Sequence, residues 1–168
     1  YIFLMYPDPR VVDGGVYSWV SSREKQQDDI FRMITGQEYD LTSLLHVAAN
    51  QYEVVHVSPS LPAIFRTTLP VAGDTCDYPS LVERATQTWI DPDYVSLYTE
   101  YTCLDLIMQN LDQQGHHDFT VLGHFSDVPG GKMYRRYQYY YLNDEKNTIL
   151  MMQSNVTAVY RPQQEKLA

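Results

Sequence analysis

Three groups of side chains in the sequence have the chemistry for a site. His116, His117, Asp118 and His124 include the residue types that hold metals and haem. His116 and His117 are neighbours at the start of an expected strand, where successive side chains point to opposite faces, so they do not chelate one ion together and read as an exposed loop pair. Cys76 lies in a Gly-Asp-Thr loop and Cys103 in an apolar helical run, with no Cys-x-x-Cys spacing. Both read as free thiols of a reducing compartment, Cys103 as a packed core residue, with no structural metal site. Arg66 and Arg135 would suit an anionic small ligand if they faced an interior cavity, because a guanidinium matches a carboxylate in two parallel hydrogen bonds. No Gly-x-Ser-x-Gly, phosphate-cradling glycine loop, His-Glu-x-x-His or paired-carboxylate motif occurs, so catalytic machinery is not expected in this chain.

The run Met133-Tyr134-Arg135-Arg136-Tyr137-Gln138-Tyr139-Tyr140-Tyr141-Leu142 is the densest part of a tyrosine-rich chain, which has 15 tyrosines. Read as a strand, it puts Met133, Arg135, Tyr137, Tyr139 and Tyr141 on one face and Tyr134, Arg136, Gln138, Tyr140 and Leu142 on the other. Two readings stay open: one set lines a ligand pocket or a dimer surface, or the run is a solvated face with aromatic cross-strand pairs.

These residues need a scaffold, and the composition allows one. A chain of 168 residues, 44% hydrophobic and 20% charged, fits one globular domain with an appendage. Its net charge of −9 argues against a nucleic-acid partner or an anionic membrane surface, both of which require a basic field. No apolar stretch approaches the length of a spanning helix, and Tyr1 to Tyr6 stops at Pro7 without a basic leader, so a cytoplasmic chain without membrane insertion is expected. Beginning without Met, it fits a piece cut from a longer protein whose other parts are membrane-bound.

Short strands are expected at residues 1 to 6 and 16 to 20, a helix over 23 to 34, and a second amphipathic helix from Leu41, Leu44, Leu45 and Ala48 at i, i+3, i+4, i+7. From Gln51 the period drops to two. Tyr52 to Ser58 reads as a strand, paired through Pro59 to Pro62 with a second strand over Ala63 to Leu69. Residues 70 to 76 form a loop. Helices follow from Pro79, from the capped start Asp91-Pro92-Asp93, and on through Leu104 to Gly115. The strands Asp118 to Ser126, Met133 to Leu142 and Thr148 to Thr157, joined by turn-forming loops, predict an antiparallel meander.

Val54-Val55-His56-Val57-Ser58-Pro59-Ser60, Trp89-Ile90-Asp91-Pro92-Asp93-Tyr94, the dozen-residue helix ending at Gly115, and Gln153-Ser154-Asn155-Val156-Thr157 together resemble PAS domains. The first looks like the family's apolar opening strand and Ser-Pro-Ser-like turn. The last is similar to the Asp-Ile/Val-Thr signature that closes the final strand, with Asn155 in the place of aspartate, while Asp91 stands where histidine is usual. The likeness covers roughly Tyr52 to Ala168. It implies an α+β fold, a five-stranded antiparallel sheet with helices on one face, here preceded by an N-terminal hairpin and helices. The implied domains are 1–50, a flank or the end of a preceding unit, a second PAS-like one being an alternative; 51–158, the sensory domain; and 159–168, the start of a signalling helix.

The resemblance also implies a regulatory module that binds a small ligand or forms a homodimer and signals to an output domain in the same chain. The tail from Val156 to Leu167 looks most like bacterial regulators carrying a diguanylate cyclase (GGDEF) domain, with sensor histidine kinases next. Pocket candidates are Arg66, Trp89, Arg135, Tyr137 and Tyr139; signal-coupling candidates are Asn155, Thr157 and Arg161. No cofactor is identified: Tyr-Thr-Cys103-Leu-Asp does not match the family's flavin-reacting cysteine motif, and no histidine stands between Asp77 and Gln114 to ligate haem. The alternative is a ligand-binding or catalytic α+β cone, whose buried base would fall to Asp105.

Overall fold

The computed structural model describes residues 39–167, so the hairpin and helix expected over residues 1 to 34 lie outside the described part. Leu41–His46 is a strand, β1, rather than the expected helix. Leu41, Leu44 and Leu45 fit either period, and what decides is that both edges of the segment find a ladder. β2 (Gln51–Val57) pairs with one edge, with Leu45 opposite Tyr52, and β6 (Thr148–Asn155) with the other, with Leu45 opposite Ile149. Residues 41–50 therefore belong to the sheet and its first hairpin, not to a preceding flank. Asn50 closes that hairpin at φ 51, a left-handed conformation that Asn adopts readily.

Ala63–Leu69, expected as a strand, forms the short helix α1 (Ala63–Thr68) instead. The free edge of β2 is taken by β3 (Thr75–Asp77), whose first two residues fall in the expected loop, so α1 has no ladder to join. Its amide at Ala63 is satisfied by Asp127 Oδ2 at 2.8 Å, and Phe65 is its buried anchor.

α2 (Tyr78–Thr88) starts at Asp77, whose carboxylate accepts from the Ser80 amide and hydroxyl. Asp91 caps a 3-10 turn, Pro92–Tyr94, by accepting from the Asp93 amide at 3.0 Å. The helical region after it is two helices, α3 (Val95–Tyr101) and α4 (Leu104–Gln114), the latter closed by Gly115 in the left-handed region. β4 (His117–His124), β5 (Lys132–Tyr141) and β6 form the expected meander, and α5 (Thr157–Leu167) leaves its end.

The six strands run antiparallel in the order β3-β2-β1-β6-β5-β4. Joining β1 to β6 puts the beginning and the end of the domain side by side at the middle of the sheet. The core lies between the sheet and the helices, where Leu41, Tyr52 and Val54 of the first hairpin meet Phe65, Tyr98 and Ile107 of the helices. Burying a side chain such as Ile107 stabilises by about 1.5–3 kcal/mol. Two strands, helices, then three antiparallel strands in one α+β sheet make the fold PAS-like, with β3 added at one edge. No helix of the described residues is long and apolar enough to cross a membrane.

Candidate functional site

The alternation along β5 sends Met133, Arg135, Tyr137 and Tyr139 into the core, each buried, while Arg136 is exposed. Arg135 is the charged centre of this face. Its guanidinium donates to both Asp40 oxygens, at 2.5 and 2.7 Å, and to Gln153 Oε1 at 3.2 Å. It also lies over the Phe65 ring, 5.3 Å from the centroid. Its Nε–H has no partner.

Trp89, at the end of α2, packs its ring on Phe65 with centroids 4.8 Å apart. Phe65 thus joins two of the expected pocket residues, Trp89 and Arg135. Tyr137 stacks on Phe119 at 5.0 Å and meets Tyr98 edge-on at 5.7 Å. Its hydroxyl lies beside Trp89 and Tyr98, near enough to influence its proton, but makes no aligned hydrogen bond. The Trp89 indole N–H, beside the Tyr137 hydroxyl, and the Tyr139 hydroxyl, beside that of Tyr78, likewise make no well-aligned hydrogen bond. Burial pushes Tyr98, Tyr137 and Tyr139 above the ordinary tyrosine range, as it does Tyr52 and Tyr78, so all five stay protonated donors at neutral pH. Tyr52 and Tyr78 have partners: Ser43 Oγ at 2.5 Å and the Thr102 carbonyl at 3.0 Å.

Arg66 does not join this group. It is exposed on α1 and donates to the Pro59 carbonyl at 3.0 Å, because it sits opposite the face that Phe65 buries. Cys103 is exposed rather than packed in the core, since it precedes α4 instead of lying inside one long helix. Asp105 is exposed in the first turn of α4 and offers no buried base.

The expected exposed histidine pair is also corrected, because His117 is buried. Its Nε2–H donates to the Tyr101 carbonyl at 2.8 Å, and its Nδ1 accepts from the Asn110 amide at 2.9 Å. Burial, outweighing these neighbours, lowers its pKa. His124 instead holds Asp91, Nε2 to Oδ2 at 2.5 Å. Burial works to raise the Asp91 pKa, but the Asp93 amide and His124 outweigh it and keep the carboxyl below its ordinary value. A separate open cleft of about 520 Å³ between α2 and the α3–α4 junction is lined by Tyr78, Glu83, Thr86, Thr102, Cys103 and Asp105, none of them an expected pocket residue.

At the far end of β6 the chain turns into α5 through a pinned joint. Asn155 Oδ1 accepts from the Thr157 amide at 3.0 Å and from its hydroxyl at 2.6 Å. The same hydroxyl accepts from the Tyr134 amide of β5 at 2.9 Å, and the Val156 amide donates to the Tyr134 carbonyl. Above it Tyr134 packs between Tyr94 and Tyr160, with centroids 6.5 and 4.6 Å away. Burial first, then these neighbouring phenols, pushes Tyr94 up to about 12. Arg161 is exposed one turn further along α5. The neutral amide of Asn155 therefore suffices as an acceptor here.

The sequence reading missed Asp40, Gln153, Phe65, Tyr78 and Tyr98. Phe65 and Tyr98 carry the apolar periodicity of their segments, whereas Asp40 meets Arg135 from 95 residues away and leaves no local signature.

No family model matches the chain, and no curated protein matches it. Among solved structures it is similar to an RNA-binding Light-Oxygen-Voltage receptor at 12% identity and TM-score 0.41, over 77% of this chain and 31% of that one. The chain thus spans about a third of that receptor. It is also similar to a Light-Oxygen-Voltage domain solved in work on a flavin analogue, at 12% identity and TM-score 0.38, covering 80% of this chain and 91% of that one. A sensory box sensor histidine kinase from Vibrio cholerae is similar at 10% identity and TM-score 0.38, with 83% of this chain and 98% of that one covered.

Proposed function

We propose that residues 39–155 form a PAS-type sensory module. It takes a small ligand between sheet and helices and passes a change in sheet packing through α5 to an output domain beyond it. The observation that carries this reading is the joint: Thr157 is held at once by β6, through Asn155, and by β5, through the Tyr134 amide. A shift between those two strands is felt directly at the first residue of the outgoing helix. Asn155, Thr157 and Arg161 are the coupling residues in this reading, and Trp89, Arg135, Tyr137 and Tyr139 line the ligand side. Val159, well exposed on α5, favours pairing of that helix in a homodimer.

The resemblance of the tail makes a diguanylate cyclase the first output to test. In the full-length protein, Thr157→Val keeps the shape of the side chain and removes the hydroxyl that ties β5 to the joint. Conversion of GTP to cyclic di-GMP should change several-fold in basal rate, with the melting temperature of the sensory module moved by only a few degrees. Should the full-length chain lack cyclase activity, autophosphorylation is the output to read. Output identical to the parent's, in a variant whose amide spectrum shows the Tyr134 hydrogen bond gone, would refute the coupling.

A further inference from the structure

We infer that the His124–Asp91 pair is a proton-operated latch on the turn that leads to α5, so that the module answers to pH near neutrality; the inference rests on the reading of α5 as the output helix. The latch is built on a short strap. Trp89, Ile90 and Asp91 run beside the outer edge of β4, with Ile90 opposite Gly123 in an isolated bridge. The Asp91 amide donates to the Leu122 carbonyl at 2.9 Å, and the His124 amide to the Trp89 carbonyl at 2.7 Å. Gly123 lets the strap come this close, since a Cβ there would stand 2.6 Å from the Phe125 ring and 3.1 Å from the Trp89 carbonyl oxygen.

The two ends of the strap are held differently. Trp89, buried against Phe65, anchors the inner end. At the outer end the Asp91 carboxylate meets His124, Nε2 to Oδ2 at 2.5 Å, and the imidazole is 45% exposed, so its protons exchange with water. Histidine is the side chain that ordinarily changes charge between about pH 5 and 8. Burial opposes ionisation of Asp91, but the Asp93 amide and His124 outweigh it, so Asp91 is a fixed anion across that range. Protonated, the imidazole meets this anion as a charge-assisted donor. Deprotonated, it offers a neutral N–H or, in the other tautomer, a lone pair turned toward a negative charge. Low pH therefore closes the latch and high pH loosens it.

The other groups around the pair keep one charge over the same range. Lys132, opposite His124 in the β4–β5 ladder, is an exposed cation whose repulsion is screened by water, unlike the direct contact with Asp91. Asp93, exposed in the same turn, adds a negative charge. The Tyr94 phenol, pushed up to about 12 by burial and its neighbouring phenols, stays neutral. From Asp91 the coupling runs to the output helix through a few contacts. The Tyr94 amide donates to the Asp91 carbonyl at 2.8 Å and closes the Pro92–Tyr94 turn, while the Asp91 carboxylate caps the Asp93 amide. The Tyr94 ring meets Tyr134 edge-on, and Tyr134 packs on Tyr160 of α5. Tyr134 also supplies the amide that holds Thr157. Loosening Asp91 thus moves the turn, and the turn moves the aromatic stack at the start of α5.

The test follows the whole 168-residue chain, labelled with carbon-13 and nitrogen-15, by NMR from about pH 8.5 to about 5.5. The His124 ring signals give the protonation midpoint. The amide signals of Asp91, Tyr94, Tyr134 and Tyr160 should shift with that same midpoint. Exchange of the Asp91 amide, corrected for the intrinsic pH dependence of amide exchange, should slow about two- to five-fold on the acid side, as for a partly exposed ion pair. His124→Gln keeps an amide donor toward Asp91 and does not titrate, so the strap should remain and the common midpoint vanish. Asp91→Asn keeps an oxygen for the Asp93 amide and should lower the His124 midpoint. Titration of His124 with no matching shift at Tyr94 and Tyr160 overturns the latch, and so does a midpoint that persists in His124→Gln. Full-length output that ignores pH while the latch signals move overturns instead the reading of α5 as the output helix, which the Thr157→Val assay tests independently.

Discussion

His117 gives both ring nitrogens to neighbours in a way that fixes its proton: Nε2–H to the Tyr101 carbonyl, Nδ1 facing the Asn110 amide. Protonating Nδ1 would set two donors against each other in a site walled by Tyr101, Phe119 and Tyr139. Its pKa in the folded chain therefore lies below the ordinary 6.5, chiefly through burial. Below 6.5 the unfolded chain binds a proton that the folded chain resists, so stability is full above that pH and is lost as pH falls through it toward the folded value. Urea midpoints measured from pH 7.5 downward should decline around this region in the parent and decline less in His117→Gln. An equal decline in both would assign the effect elsewhere. Strand alternation requires one of His116 and His117 to face inward, but only the packing of α4 against β4, through Asn110, determines which. Arg66 failed for a related reason: on a helix beside Phe65 it points away from the core, whereas strand spacing left its direction open.

At the scale of elements, the late part of the chain was the more legible. The meander from β4 to β6 and the start of α2 and of the Pro92 turn are written locally, in alternating residues, Gly and Asn turns and aspartate caps. β1 and α1 exchanged types because each is only six residues long, too short for a period to outvote its surroundings. β1 is a strand because β2 and β6 flank it, and the second of these partners lies about a hundred residues further on, which no window of sequence displays. The glycine that ends α4 was legible and has a measurable cost of replacement. Gly115 sits at φ 79 with no atom crowding a hypothetical Cβ, so the penalty for Gly115→Ala is conformational rather than steric. Denaturant unfolding should show a loss of about 1 kcal/mol with an unchanged slope, and Gly115→Asn should recover part of it. A loss of several kcal/mol would mean that the αL turn is not the feature at stake.

Across the whole molecule, the place where the chain enters the sheet and the place where it leaves are bound together by one buried charge cluster. Asp40, immediately before β1, donates its amide to the Gln153 carbonyl and accepts from the Ser58 amide, while its carboxylate takes Arg135. Arg135 in turn stands opposite Asn155 in the β5–β6 ladder, two residues before Thr157 begins α5. The pair is unequal: the guanidinium is fully buried, whereas the carboxylate, though buried, keeps a small exposed fraction. Removing Asp40 strands a fully buried cation, whereas removing Arg135 leaves a carboxylate that is mostly buried but 12% exposed and so partly solvated. Asp40→Ala should therefore cost about 3–5 kcal/mol, as for a broken buried pair, and Arg135→Met, which fills similar volume, clearly less. The double variant Asp40→Ala/Arg135→Met should be close to Arg135→Met alone, because the stranded charge is gone. Urea unfolding of the four proteins gives the coupling directly, and single costs that simply add would show that the two residues do not act as a pair. The amides of α5 give the structural counterpart. Their hydrogen exchange should quicken in Asp40→Ala, some 95 residues before Arg135 in sequence, if the incoming chain, β5 and the outgoing helix move as one unit.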